Sequence, residues 1–256
     1  MARQERAVRT RNMLIESAAE LFDREGFETA SLATISARAG VSNGALHFHF
    51  ASKAALAGAV WETAAQRLWR ITEGGPSREC ALQLLIDASH ALVRGFHHDV
   101  VLRAGFHLSG SPESTGVSAD LHRTWQDWVE AMCARAYREK ALAPDVSTED
   151  AALAVVAAVT GFEALGEQDD QWLSAATLTA FWELLLPRLA RESALGRLVA
   201  SGTGSGVHPE PPRLLEERAV NSLDGMGGSA GRSLGRRLSL SGATGSPGAG
   251  TASRSQ

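Results

Sequence analysis

Apolar residues in the first quarter of the chain recur at helical spacing. Leu14, Ile15, Ala18, Leu21 and Phe22 form one stripe over about residues 8–25, and Gly26 stands where a C-cap belongs. A second, shorter helix is predicted from Ser31 or Leu32 to Ala39, with Leu32, Ile35 and Ala39 inward and Gly40 at its end. Ser42 is placed to cap a third helix through about Phe48, and Ser52 a fourth from Lys53 to about Arg70 that carries Leu56, Val60, Ala64 and Leu68 on one side. "TEGGPS" at 72–77 and "SGSPESTG" at 109–116 break the pattern. Between and beyond them, helices are expected at about 78–97, 99–108 and 117–140. Ser147 and Asp150 read as a capping-box-like start of another, to about Leu165, and a last one runs over 170–191 with Pro187 kinking its end. No segment alternates in a way that demands a strand, so the fold class is all-α.

From about Gly196 the pattern stops. Residues 196–256 are rich in Gly, Ser, Arg and Pro without a sustained apolar face, and read as a disordered tail. The organisation expected is therefore a small helical domain over 1–52, a larger one over 53–195, and the tail.

Charge refines this picture. The net charge is −4, which argues against a basic field over the whole molecule. Yet Arg3, Arg6, Arg9 and Arg11 crowd the first eleven residues against a single acid, Glu5. A basic arm on an acidic body suits a protein that touches DNA at one end. Cys80 and Cys133 lack the spacing of a zinc site or a disulfide framework. No apolar run reaches the roughly 18 residues of a membrane span, and no signal-peptide core opens the chain, so it reads as cytosolic.

The stretch "GVSNGALHFHFASK" (40–53) holds the candidate chemistry. His47 and His49 are two residues apart and would project about 200° from one another on an ideal helix, which is unsuited to chelating one ion. A helix-turn-helix explains the stretch better. Leu32, Ile35, Ala39, Val41, Leu46 and Phe50 lock two short helices together, Gly40 permits the turn, and small residues open the second helix so that it enters a major groove. Phe48 and Phe50 read as core, since duplex readers rarely need aromatic platforms.

"TASLATISARAGVSNGALHFHFASKAAL" (29–56) resembles the DNA-binding signature of TetR-family repressors. "GALHFHF" and the arm "ARQERAVRTR" are most similar to the γ-butyrolactone autoregulator receptors of Streptomyces and their pseudo-receptor relatives, which typically read "GALYFHF". The resemblance implies a helix-turn-helix at about 31–49. Its DNA contacts would come from Arg3, Arg6, Arg9, Thr29, Ser31, Ser42, Asn43, Gly44, Ala45, His47, His49 and Lys53, the last as a phosphate clamp. His47 stands where the family usually has Tyr, and Asn43 where many relatives carry Lys. Each phosphate neutralisation lost this way flattens the salt dependence of binding by about one unit of slope.

The rest of the chain shows no GxSxG, P-loop, GxGxxG after a strand or HExxH, so no enzyme and no cofactor is expected. His97, His98 and His107 near Asp99 are read as surface or interdomain residues rather than metal ligands, and Glu163, Glu167, Asp169 and Asp170 as a solvated helix end. Trp125, Trp128 and Met132 form an aromatic-rich stripe that either fills a core or lines a cavity. The family resemblance favours a cavity for a small lipophilic effector at Trp125, walled by Leu85, Val156, Val159, Thr160 and Phe162. It also implies a homodimer formed through the last two long helices, with Leu153, Val156, Trp172, Phe181, Trp182 and Leu185 in surplus of one buried face, and a pseudo-palindromic double-stranded operator. Two other readings stay open: a pseudo-receptor repressor answering to an antibiotic or intermediate, and a helical small-molecule binder with no DNA affinity.

Overall fold

Good helix formers run without Gly or Pro from Ala2 onward, and in the computed structural model helix α1 spans Ala2–Glu25. The basic arm is thus the first turns of this helix rather than a separate segment, a correction of the start expected near residue 8. The structure describes residues 2–73, 80–109 and 120–204. The breaks expected at 72–77 and 109–116 fall largely outside those residues.

Helices α2 (Leu32–Arg38) and α3 (Asn43–His49) follow, then α4 (Lys53–Glu73), α5 (Ala81–His98) and α6 (Val100–Ser109). Beyond them come α7 (Leu121–Arg138), α8 (Thr148–Gly166), α9 (Ala175–Leu189) and the short α10 (Glu192–Leu195). The all-α expectation holds. Among the described residues the one β feature is an isolated antiparallel bridge between Leu142 and Ala190. No described helix is long and apolar enough to cross a membrane.

Caps end and begin these helices as their residue types dictate. Ser31, Ser42 and Ser147 each accept a hydrogen bond from the backbone N–H three residues on, and Asp120 does the same for His122. The single helix expected over 170–191 is split, because Ser174 adopts extended backbone and caps α9 through Thr177 N. Asp170–Leu173 before it is only a 3-10 turn.

Two apolar cores result. The head core joins Leu14, Ile15, Leu21 and Phe22 of α1 to Ile35, Leu46 and Phe50 of the helix-turn-helix. The body core gathers Leu82, Leu85 and Phe96 of α5 around Trp125 and Val129 of α7, with Val155 and Val159 of α8 and Trp182 of α9. Helices α4 and α6 belong to both. Leu56, Ala57 and Val60 of α4 pack in the head while Ala64 and Leu68 pack in the body, so packing is continuous across the boundary expected at 52/53. On α6, Val101, Ala104 and Leu108 face the head core, and Leu102 and Phe106 face the body core.

Ion pairs fix α6 at its crossing. Asp99 accepts from Val101 N (3.1 Å) and Leu102 N (3.0 Å), capping α6, and pairs with Arg67 of α4. Burial pulls the Arg67 guanidinium below its ordinary pKa, with Glu16 opposing that shift. Arg103 grips Asp23 of α1 in bidentate fashion, at 2.9 Å from Nε and 2.8 Å from Nη2, and also donates to Phe96 O.

The chain does not leave the fold at 196. Val199 and Ala200 lie along α5, where Gln83 both donates to Val199 O and accepts from Val199 N, and His90 Nε2 sits 2.9 Å from Ala200 O. Asp87 takes two hydrogen bonds from Thr203. Side chains more than a hundred residues upstream therefore anchor 196–204, which composition alone assigns to the tail. Residues 205–256 lie outside the described structure.

Glu163 is likewise displaced from its expected solvated setting. It is buried in the body and 2.9 Å from His122 Nε2. That hydrogen bond, opposed by burial, raises the His122 pKa above its ordinary 6.5. A raised folded-state pKa gives stability that is full below the unfolded value and is lost as pH rises through the folded value. The Tm advantage of wild type over His122→Gln is therefore expected to shrink as pH rises from about 6.5 upward; an advantage that grows with pH would contradict this pairing.

Gly105 marks the tightest approach of α6 to α4, since a Cβ there would overlap the Ala64 methyl. Gly105→Ala is expected to cost about 1–3 kcal/mol by overpacking, seen as a lower Tm, and Ala64→Gly in the same chain to recover part of it. Equal Tm for wild type and Gly105→Ala would contradict the close crossing.

Candidate nucleic-acid interface and buried body core

The outer face of the head is built by α3 and the start of α1. In α3, only Leu46 is buried and Phe50 follows it into the core at 4% exposure, four residues on. That register leaves Ser42, Asn43, Gly44, His47 and Phe48 exposed, with Ala45 and His49 half-buried. Ser42 Oγ accepts from Ala45 N at 3.1 Å, so its hydroxyl proton remains available outward. Gly40 takes φ +67°, which the turn requires, and a hydrogen bond from Val41 N to Ser36 O closes it.

Gly44 has no such internal reason. A Cβ at Gly44 would meet only Ser42 Oγ, at 3.9 Å. Its smallness serves whatever approaches from outside.

Phe48 corrects the expectation of a core residue, because it is 82% exposed and touches His49 edge-on at 5.2 Å between ring centroids. Its position between Leu46 and Phe50 puts it on the outer side of the helix. Such a ring is a ready apolar contact for a groove wall.

On α1, Arg6 and Arg9 are exposed, while the Arg3 side chain lies outside the described residues. Arg11, counted with the basic segment but not among the expected contacts, has its guanidinium 5.4 Å from the Phe50 ring centroid. It therefore sits beside the end of α3. Thr29 is exposed, and Ser31 caps α2 through Thr34 N.

Lys53 is placed differently from the expected phosphate clamp. Its Nζ donates to Phe27 O (2.8 Å), Glu28 O (3.0 Å) and Ala30 O (3.1 Å), and lies 4.4 Å from the Phe27 ring centroid. An ammonium has three donors, and all three are taken. Lys53 staples the turn between α1 and α2 to the start of α4.

In the body, Leu85, Trp125, Val159 and Phe162 come together in the core, all at 8% exposure or less. Trp128 stacks on Trp125 at 5.3 Å and 25°, half-buried like Met132 and Val156. Thr160 does not join them; it is exposed on the far side of α8, which corrects its place as a wall residue. Trp182, expected in a dimer face, is fully buried core, whereas Leu153, Trp172 and Leu184 are exposed at 69%, 40% and 82%. The indole nitrogens of Trp61, Trp125 and Trp182 are buried without a hydrogen-bond partner. Buried donors of this kind normally find one, and each left unpaired costs about 1–3 kcal/mol. Cys133 behind them is inert: burial pushes its thiol up to about 12.

A cavity of about 800 Å³ lies elsewhere, at the meeting of α1, α5, α6 and α8, and contains none of the expected effector residues. Among the described residues no cluster of three or more His, Cys, Asp or Glu is arranged to hold a metal ion.

Lys53→Gln is expected to lower the stability of the head by about 1–3 kcal/mol, because three carbonyls lose a charged donor. Phe48→Ala is expected to leave Tm within about 0.5 kcal/mol-equivalent of wild type, as an exposed side chain should. Thermal unfolding followed by circular dichroism compares them, and a Lys53→Gln chain as stable as wild type would overturn the stapling role.

Comparison with known proteins agrees with this geometry. A family model for bacterial regulatory proteins of the tetR family matches residues 14–60. The A-factor receptor protein of Streptomyces griseus is 31% identical over 206 residues, which cover 79% of this chain and 71% of that protein. Among solved structures, an ArpA-like γ-butyrolactone receptor superposes with TM-score 0.66 at 28% identity, covering 77% of this chain and 96% of that one. The TetR-family protein CprB from Streptomyces coelicolor, solved in complex with its biological operator sequence, gives TM-score 0.62 at 28% identity over 75% and 94%. The chain belongs to the TetR family of bacterial regulatory proteins, as a regulator of the γ-butyrolactone-receptor-like kind.

Proposed function

We propose that the protein is a cytoplasmic, homodimeric transcriptional repressor that binds a pseudo-palindromic operator and is released by a small lipophilic effector of the γ-butyrolactone class. The observation that carries the DNA-binding half is the outer face of α3. Asn43 and Gly44 open the helix with nothing inside the protein that requires a glycine there, and His47 and Phe48 project from it. A helix N-terminus of this kind suits the edge of a major groove. Arg6, Arg9 and Arg11 on α1 supply phosphate contacts beside it. That CprB, a structural relative, was solved with its operator sequence supports DNA binding by this fold.

The apolar surface of α8, α9 and the 3-10 turn between them, which carries Leu153, Leu184 and Trp172, is the proposed two-fold interface. A dimer lets two heads read two half-sites one helical turn apart.

The effector half rests on the unpartnered indole N–H of Trp125, in the same apolar core as those of Trp61 and Trp182. A lactone carbonyl or hydroxyl accepts from such a donor while its alkyl chain takes the surrounding apolar wall. Opening the body core to admit it displaces Leu102 and Phe106, and with them α6, whose other face is locked into the head. By linkage, an effector that weakens operator binding is itself bound more weakly by the operator complex.

Selection of genomic fragments on the full-length protein, followed by gel shift with a synthetic 2-(1-hydroxyalkyl)-3-hydroxymethyl butanolide, tests both halves. A pseudo-palindromic site should be retained at moderate salt and released by the lactone. Trp125→Phe, which keeps bulk but removes the donor, should bind the same site and need about 3- to 10-fold more lactone, the worth of one hydrogen bond. If no pseudo-palindrome is enriched, the repressor reading fails; if release comes only with an antibiotic, the pseudo-receptor alternative stands instead.

A further inference from the structure

The cavity between head and body has a chemistry of its own. Its floor is aromatic and aliphatic: Phe22 and Phe96 are 3% and 1% exposed, Leu108 3%, and Phe27 packs on Phe22 at 5.5 Å. Its wall carries four carboxylates, Asp23, Glu163, Glu167 and Asp170, against one guanidinium, that of Arg103. Asp23 is neutralised by its bidentate grip on Arg103. Glu167 and Asp170 have only imidazole neighbours, His107 at 3.2 Å and His97 at 3.9 Å.

Two groups in this wall are left incomplete. Glu163 is only 8% exposed, and while His122 bonds its Oε2, its other oxygen finds no donor among the described residues. His107 Nε2 is buried and makes no hydrogen bond, although Glu167 lies close. Glu163, with one oxygen that His122 leaves free, and His107, with its buried Nε2 unpaired, both line the cavity.

We propose that this cavity is a second effector site, separate from the Trp125 core, and that it takes a lipophilic cation: a protonated amine carried on an aromatic or alicyclic body. The ammonium donates to Glu163 and Glu167, with Asp170 at the mouth, while the body lies against the half-buried Phe27 ring, which Phe22 backs. An anion is repelled by the carboxylates, since Arg103 is already taken. A volume of about 800 Å³ fits the range of about 300–1,000 Å³ in which drug-sized ligands bind.

Because Phe22 and Phe27 belong to α1 and the turn after it, and Glu163, Glu167 and Asp170 to α8 and the turn after it, an occupant holds the reading head against the body. That regulatory consequence rests on the repressor reading; the binding does not.

Dansylcadaverine, a primary ammonium on a naphthalene body whose emission reports an apolar setting, is a direct probe for the full-length protein. Its N-acetyl form keeps the body and removes the charge. The amine is expected to bind saturably and at least about tenfold more tightly than the acetylated form, about 1.4 kcal/mol by the affinity relation. Glu163→Gln, which preserves a hydrogen bond to His122, should weaken the amine about tenfold, as expected for a buried charge partner. The exposed pair Glu167→Gln with Asp170→Asn, where folding is not at risk, should weaken it about fivefold. Trp125→Phe should leave binding unchanged. The proposal is overturned by equal binding of the two probe forms, by no saturable binding, by indifference to both carboxylate variants, or by a signal lost in Trp125→Phe. None of these outcomes involves DNA, so failure here and failure of operator binding are distinguishable.

Discussion

Helix α6 can serve two cores only because Gly105 lets it lie against α4 with nothing but the Ala64 methyl between the backbones. Ten residues cannot bury two independent faces in two cores unless the helix is fixed in rotation. Val101, Ala104 and Leu108 repeat at i, i+3, i+7 toward the head, while Leu102 and Phe106 repeat at i, i+4 toward the body. Arg103 on one side and the Asp99 cap on the other hold that rotation. The consequence is mechanical. A shift of α6 that improves packing in one core must worsen it in the other, because both are close-packed and deform little. A small change in the body therefore reaches the head as a choice between arrangements rather than as a gradual bend.

Polar groups inside the body divide into two kinds. Gln83, Asp87 and His90, which hold residues 196–204, are each supplied with partners from a distant segment. They fix the fold. The indole N–H groups of Trp61, Trp125 and Trp182 have none. Three large side chains that could have been Phe at no polar cost instead bring donors into an apolar interior. On the proposed reading, that contrast within one core separates a site for a ligand from packing that is complete.

The sequence made the local features readable and left the long-range ones hidden. Ser42, Ser52 and Ser147 were identifiable as caps because a cap is a matter of three or four residues. The helix-turn-helix followed from Ile35, Ala39, Leu46 and Phe50 for the same reason. Lys53 was misplaced because the carbonyls it serves come from a turn some 23–26 residues earlier. Glu163 looked solvated because its partner is 41 residues away. Phe48 and Trp182 show the limit of hydrophobicity as a guide: one is exposed on a reading face and the other buried, and the register that decides it is set by neighbours. Residues 196–204 carry little apolar surface and gain order from side chains on α5.

The placement of charge on the head bears on how it recognises an operator. Lys53 is committed to carbonyls and Arg38 to Glu20, so neither is a spare cation. Asn43 and His47 occupy positions where relatives bring Lys and Tyr. What remains on this face is the arginines of α1 and a helix whose exposed residues are small, polar or aromatic. On the repressor reading, a head with few phosphate neutralisations gains less from counterion release, and its affinity leans more on groove fit and on the second half-site. A reader of that kind gives up salt-dependent attraction to non-specific DNA, which acts on any sequence alike. It keeps the contacts of Asn43, Gly44 and Phe48, which only the right groove can satisfy. Weak single heads then make the spacing of the two heads decisive, and α6 is the helix through which each head packs on its body.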